Sequence, residues 1–143
     1  MDDIDRRLLK ELQSDARLSL SELGRRVGLS SSATADRLRR LEETGVIVGY
    51  RAEIDPKAVG YDLAAVLRIR PMIGQLKQIV RVANDTPEVM ECHRVTGEDC
   101  YIMKVVFGSI DDLEELIDRF TPFGQTTTSI INASPVPPRG VPI

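Results

Sequence analysis

Tryptophan is absent from this chain, histidine occurs once, cysteine twice, and aromatic residues fill only 4% of its 143 positions. With His93 as the lone histidine, there is no His/Cys spacing that would build a zinc site, and no metal ligand set is expected. Cys92 and Cys100 lie on either side of an expected hairpin turn near Gly97. That turn pairs Cys92 with a residue near Met103 or Val105, so the two thiols are expected to be free, as in a reducing compartment. Cys92 and His93 are neighbours in an expected strand and point to opposite faces, which denies them a nucleophile–base geometry. No other catalytic dyad stands out, and an enzyme is the least favoured class. Apolar runs never approach the ~20 residues a membrane helix requires. The acidic start Met1-Asp2-Asp3 is unlike a signal or transit peptide, so a cytoplasmic location and no membrane partner are expected.

What is present is a globular composition, 42% hydrophobic and 29% charged, with a net charge of −3. The charge is unevenly placed. Residues 1–60 carry 11 basic and 11 acidic side chains, whereas 61–143 carry 8 and 11, so the acidity belongs to the second half. Between Arg25 and Arg40 five arginines face one acid, Asp36, a local +4 of the kind that meets a phosphate backbone.

That basic stretch lies inside Ser19 to Ile47, which reads as two short helices joined by a tight turn. Ser19 and Glu22 fit an S-x-x-E capping box, Leu20, Leu23 and Val27 supply an apolar face, and Gly28 ends the helix. Leu29 is the expected buried pivot and Ser30 the cap of the second helix, where Thr34, Leu38 and Leu41 recur at i, i+4, i+7. The opposite face carries Ser32, Ala35, Asp36, Arg39 and Arg40, with Ser31 in the first turn and Arg37 flanking the stripe. Small hydroxyl residues let a backbone approach base edges, and guanidiniums meet phosphate or guanine. A solvated charged face is the plainer reading of the same pattern. Asp36 repels phosphate unless Arg40, one turn along, neutralises it or it accepts from a cytosine amino group.

Ahead of this pair, Asp2 or Asp3 can cap a first helix with Ile4, Leu8, Leu9 and Leu12 inward, closing a three-helix headpiece over residues 1–45. Gly45 stops the third helix, and Val46 to Ile54 alternates as a linker strand, with a turn from Asp55-Pro56 through Gly60 completing a connector over 46–60. Residues 61–134 alternate strand and helix signals: a strand from Leu63 to Arg70, and a helix with Leu76, Ile79, Val80 and Ala83 inward. Strands Val89 to Val95 and Tyr101 to Phe107 follow, then a helix opened by Asp111 and ended by Gly124, and a last strand Thr126 to Ala133. The order βαββαβ is the split arrangement of a ferredoxin-like domain, and the fold class is α+β. Ala64, Val66, Ile102, Val106 and Ile131 would leave the uncovered sheet face apolar, so a second copy is the economical cover. The tail 135–143, PVPPRGVPI, is proline-rich and extended.

Taken together, the chain resembles the Lrp/AsnC (leucine-responsive, feast/famine) family of transcription regulators. The resemblance rests on Asp5-Arg6-Arg7-Leu8-Leu9 with Leu12, on Glu22 to Ser30, on Arg37 to Ile47, on Val95 to Tyr101 and on Thr126 to Ser129. It implies a winged-type helix-turn-helix headpiece on a βαββαβ domain that dimerises, assembles dimers into octamers or similar multiples, and binds a small effector, usually an amino acid. No cofactor and no catalysis are implied. The resemblance puts double-stranded DNA on Ser30, Ser31, Ser32, Thr34, Ala35, Arg37, Arg39 and Arg40. The effector is put on Gly97, Glu98, Asp99, Cys100, Tyr101, Gln125, Thr126, Thr127 and Thr128. Backbone N–H groups of a glycine turn and threonine hydroxyls suit a carboxylate, and Asp99 or Glu98 an ammonium; a plain hairpin and edge strand use the same residues. Cys100 stands where many members have an aspartate. The function so implied is a sequence-specific, effector-modulated, nucleoid-associated regulator. Two other classes remain open: a metabolite-binding oligomer with a vestigial headpiece, recognised by indifference to DNA, and an architectural protein that wraps DNA regardless of sequence.

Overall fold

The computed structural model describes residues 1–143 and divides into two compact units, Met1–Glu53 with Pro137–Ile143, and Ile54–Val136. The first unit is built from three helices, α1 Asp3–Ser14, α2 Leu20–Val27 and α3 Ser31–Glu43. Each begins at a side-chain cap. Asp2 accepts from the Asp5 N–H in a reciprocal capping box, Ser19 from that of Glu22, and Ser30 from that of Ala33. The box expected at Ser19 is only half made, because the Glu22 carboxylate turns to Arg25 and Arg26 instead of the cap backbone. Leu8, Leu23, Val27 and Leu38 form the centre of this unit, with Ile4, Leu12, Leu18, Leu29 and Ile47 packed around them.

Gly24 decides how closely α2 and α3 cross. A Cβ there would stand 2.6 Å from the Leu29 carbonyl oxygen and 2.7 Å from Thr34 Oγ1. Only glycine fits that approach, which outweighs its entropic cost inside a helix. Gly28 then leaves α2 in the left-handed region at φ 79°, where a side chain would be strained.

The expected linker strand Val46 to Ile54 is not a strand. The Val46 and Ile47 N–H groups both donate to the Leu41 carbonyl at the end of α3, and Val48 to Asp55 is extended without ladder partners. Alternating apolar residues give a strand only where a neighbouring strand exists to pair with, and this segment has none within the chain. No β-hairpin wing follows α3 either. The turn beyond is a short 3-10 helix, Pro56–Val59, capped by Asp55 and closed by Gly60.

The second unit has the expected βαββαβ order: β1 Leu63–Pro71, α4 Leu76–Asn84, β2 Val89–Arg94, β3 Tyr101–Phe107, α5 Ile110–Asp118 and β4 Gly124–Ile130. All pairs are antiparallel, in the order β2-β3-β1-β4. Both helices cover one face, where Ala65, Leu67, Ile69, Met103, Val105 and Phe107 meet Ile79, Ala83, Leu113, Leu116 and Phe120. Val80, expected inward, is exposed, and Val82 turns in instead. Ser109 rather than Asp111 caps α5, in a capping box with Asp112. Gly124 is not a helix stop but the buried first residue of β4, paired with Pro71, where a Cβ would lie 2.7 Å from the Arg70 carbonyl oxygen. Cys92 pairs with Met103, and both cysteines are free.

Candidate nucleic-acid interface and effector site

The N-terminal turn of α3 leaves Ser30, Ser31 and Ser32 exposed, with Ala35 half-buried. Ser30 Oγ lies 3.1 Å from Ser32 Oγ, so two hydroxyls are already gathered at the helix start. Thr34 does not belong with them. It is 0% exposed, its hydroxyl donates to the Ser30 carbonyl at 2.9 Å, and it occupies the α2–α3 crossing. It is therefore a packing residue, as its place on the Leu38 and Leu41 stripe demands.

The arginines divide by partner. Asp5 on α1 is 1% exposed. Burial pushes its carboxyl up, but the Asp2 backbone N–H and the Arg37 guanidinium outweigh this and hold it below the usual range. Arg37 Nη1 bridges Asp2 and Asp5 at 2.7 and 2.8 Å, and Arg40 Nη2 reaches Asp5 at 3.1 Å. Arg37 thus faces α1 rather than outward. Arg40 keeps more than half its side chain in solvent while anchored at one end. Asp36 is neutralised by Arg39, three residues on, and not by Arg40 as the helical spacing had implied. On α2, Glu22 draws in Arg25 and Arg26, and those guanidiniums hold its carboxyl at about 2. The +4 of this stretch is largely balanced by local acids.

In the second unit, the hairpin after β2 closes with the Val95 N–H donating to the Cys100 carbonyl at 2.9 Å, and Gly97 takes φ 115° at its tip. Glu98 is engaged by Arg70 Nη2 at 2.5 Å, while Cys100 packs on the edge of the sheet core. Tyr101 is only 5% exposed, lying beneath α4 with its hydroxyl 3.5 Å from the Leu76 carbonyl. The β4 residues also separate. Thr126 and Thr128 stand in register with core-facing Ile69 and Leu67, whereas Gln125 and Thr127 stand with Arg70 and Arg68 on the open face. Gly97, Glu98, Asp99, Gln125 and Thr127 are therefore the expected effector residues that flank a common surface. Arg68 and Arg70 join them there. Neither is among the residues the family resemblance implies for the effector, although their alternation with Leu67 and Ile69 places them opposite the core.

Residues 1–48 match the family model described as winged helix-turn-helix DNA-binding, and residues 64–141 match that of the Lrp/AsnC ligand binding domain. The chain belongs to the Lrp/AsnC family. It is 41% identical over 137 residues to the HTH-type transcriptional regulator LrpA of Mycobacterium tuberculosis, covering 95% of this chain and 89% of that one. The uncharacterised regulator YezC of Bacillus subtilis is 40% identical, with 94% and 95% covered. Among solved structures, a feast or famine regulatory protein from M. tuberculosis complexed with L-methionine superposes with a TM-score of 0.91 at 40% identity, covering 98% and 97%. A Neisseria meningitidis regulator in complex with L-methionine gives 0.90 at 26% identity, covering 97% and 94%. Like these relatives, this Lrp/AsnC chain is a transcriptional regulator, not an enzyme, with a DNA-binding headpiece and a ligand-binding domain. No helix in it is long and apolar enough to cross a membrane.

Proposed function

We propose that this Lrp/AsnC chain binds specific double-stranded DNA sites through α3, as a dimer or a larger multiple, and that a free amino acid modulates its assembly or its DNA binding. The observation that carries the reading is the exposed Ser30-Ser31-Ser32 start of α3 on a helix locked from behind by Thr34, Leu38 and the Asp5 clamp. A rigid helix with a small, hydroxyl-rich leading turn suits entry into a major groove. Arg39 and Arg40 are the guanidiniums of α3 most exposed to a duplex.

For the effector, the open-face surface around Arg70, Gln125, Thr127 and the Gly97 turn supplies a guanidinium, an amide and a hydroxyl for a carboxylate. Glu98 is occupied by Arg70, which leaves Asp99 as the acid to hold an ammonium. Two relatives crystallised with L-methionine support an amino acid as the chemical class. Self-association is supported by the uncovered sheet face, where Ala64, Val66 and Ile102 are half-buried without any helix over them.

The test combines two measurements on the full chain. Fluorescence anisotropy against a selected duplex and a scrambled one, titrated over salt, is expected to show preference for the selected site. A thermal-shift screen of the free amino acids is expected to give at least one that raises Tm as ligand exceeds its Kd. Equal affinity for both duplexes would favour DNA wrapping over site recognition, and indifference to both with a clear ligand shift would leave only the metabolite-binding class.

A further inference from the structure

The outward surface of α3 carries an acid where a DNA-reading helix would be expected to avoid one. Thr34, Leu38 and Leu41 define the buried stripe, and at 100° per residue the side chains diametrically opposite are Ser32, Asp36, Arg39 and Glu43. Asp36 sits near the middle of that surface and Arg39 to one side of it, ion-paired to each other, with side chains 67% and 64% exposed. The other two guanidiniums of the helix are bound from behind: Arg37 by Asp2 and Asp5, Arg40 by Asp5. Arg39 is therefore the one arginine of α3 whose partner shares its outward face.

We propose that Asp36 is a specificity-determining residue: by holding Arg39 it converts that arginine from a phosphate clamp into a reader of a G·C pair in the major groove. This rests on the reading that α3 enters a duplex. A guanidinium has five N–H donors. The contact from Nη2 to Asp36 Oδ1 uses one, leaving adjacent donors for the bidentate contact to guanine O6 and N7. An unpaired arginine at this point would swing to the nearest phosphate, since backbone oxygens are the more numerous acceptors. The Asp36 carboxylate opposes that in two ways. It orients the guanidinium away from the strand and, being negative, repels phosphate and the acceptor-only edge of guanine, while the amino group of the paired cytosine can donate to it. A net-neutral pair contributes little counterion release, so its value lies in discrimination rather than overall affinity.

The experiment is selection of bound duplexes from a randomised pool by the full-length wild-type protein, D36N and R39K, followed by anisotropy on the winning site over a salt series. Asp36→Asn retains size and helix position while removing the charge, and Arg39→Lys retains charge while removing the planar fork. Wild type is expected to select a G·C pair at one position in each half-site by about tenfold or more over A·T. Both variants are expected to lose preference at that position alone. D36N should also bind scrambled DNA more tightly, with a salt slope steeper by up to ~0.9 from one released arginine. Circular dichroism and Tm, unchanged in both variants, separate this from misfolding, since neither side chain touches the core. Selection by wild type that D36N preserves at every position overturns this proposal alone. Failure of wild type to select any sequence overturns it together with the reading of α3 as a base-contacting helix.

Discussion

Single residues in the headpiece carry more structural weight than their chemistry advertises. Gly24→Ala inserts a methyl 2.6 Å from the Leu29 carbonyl and 2.7 Å from Thr34 Oγ1. Overpacking against backbone of this sort costs about 1–3 kcal/mol, and is expected to lower the Tm of the full chain; an unchanged Tm would mean the α2–α3 crossing is looser than described. Acid sensitivity belongs to the same scale. Asp2 is held at about 2, by the Asp5 backbone N–H and then by Arg37, against an ordinary 3.8, and Glu22 at about 2, by Arg25 and Arg26, against 4.5. Depressed carboxyls contribute stability that is complete above their unfolded values and lost as pH falls toward the folded ones. Helical circular dichroism of the full chain is therefore expected to hold steady above about pH 4.5 and to decline between there and pH 2, in step with these two groups. A signal flat to pH 2 would show that the clamps add nothing.

At the scale of elements, α3 is held in place by α1. Asp5 is buried and faces Arg37 and Arg40 together, so Asp5→Ala removes a partner from two guanidiniums, leaving three-quarters-buried Arg37 with Asp2 alone. Breaking a buried pair from one side costs up to ~3–5 kcal/mol; the solvent beside Arg40 argues for the low end. Hydrogen exchange is expected to quicken across both α1 and α3, and acceleration confined to α1 would show that the clamp does not reach the second helix. Strand β1 has a comparable role in the other unit. Arg70 ties the Glu98 turn to the sheet, and Arg70→Ala is expected to abolish the thermal stabilisation given by whichever amino acid stabilises the wild type, leaving ligand-free Tm within about 0.5 kcal/mol of stability. A ligand shift retained at full size would remove Arg70 from the effector surface.

For the molecule as a whole, the open sheet face links fold to function. Ala64, Val66, Ile102 and Val106 share it with Arg68, Arg70 and Lys104, which is too apolar to stay wet and too charged to be a core. A charge placed there, as in Ile102→Glu, is expected to reduce the mass measured by light scattering toward that of one chain while preserving secondary structure. An unchanged mass would count against this face as a contact between copies.

The starts of α1, α2 and α3, the βαββαβ order, the inward stripes of α1 and α3 and the Cys92–Met103 register were legible in the sequence, because each follows from periodicity and capping within some ten residues. Four features were not. Strand pairing of Val46 to Ile54 needs a partner that no local pattern supplies. The fate of an arginine depends on which acid folding brings close, so Arg40 read as an outward charge, and Arg37 as a flanking one, until Asp5, more than thirty positions away, claims both. The close approach of the Thr34 hydroxyl to Gly24 joins two helices, and the period that buries Thr34 does not name what it is buried against. Gln125 to Thr128 formed one cluster in sequence and two faces in space, since consecutive strand residues alternate sides.

By itself, the order of amino acids determined the two-part architecture and the kind of work each part does, because hydrophobic period, caps and turn glycines act through short-range sterics and hydrogen bonding. Tertiary structure alone decided which charges are spent inside the headpiece, and that Arg70 meets the hairpin turn at Glu98. Those outcomes depend on distances between residues far apart in the chain, and the pairs of Asp5 with Arg37 and Arg40 and of Glu98 with Arg70 are set by packing rather than by neighbourhood in sequence.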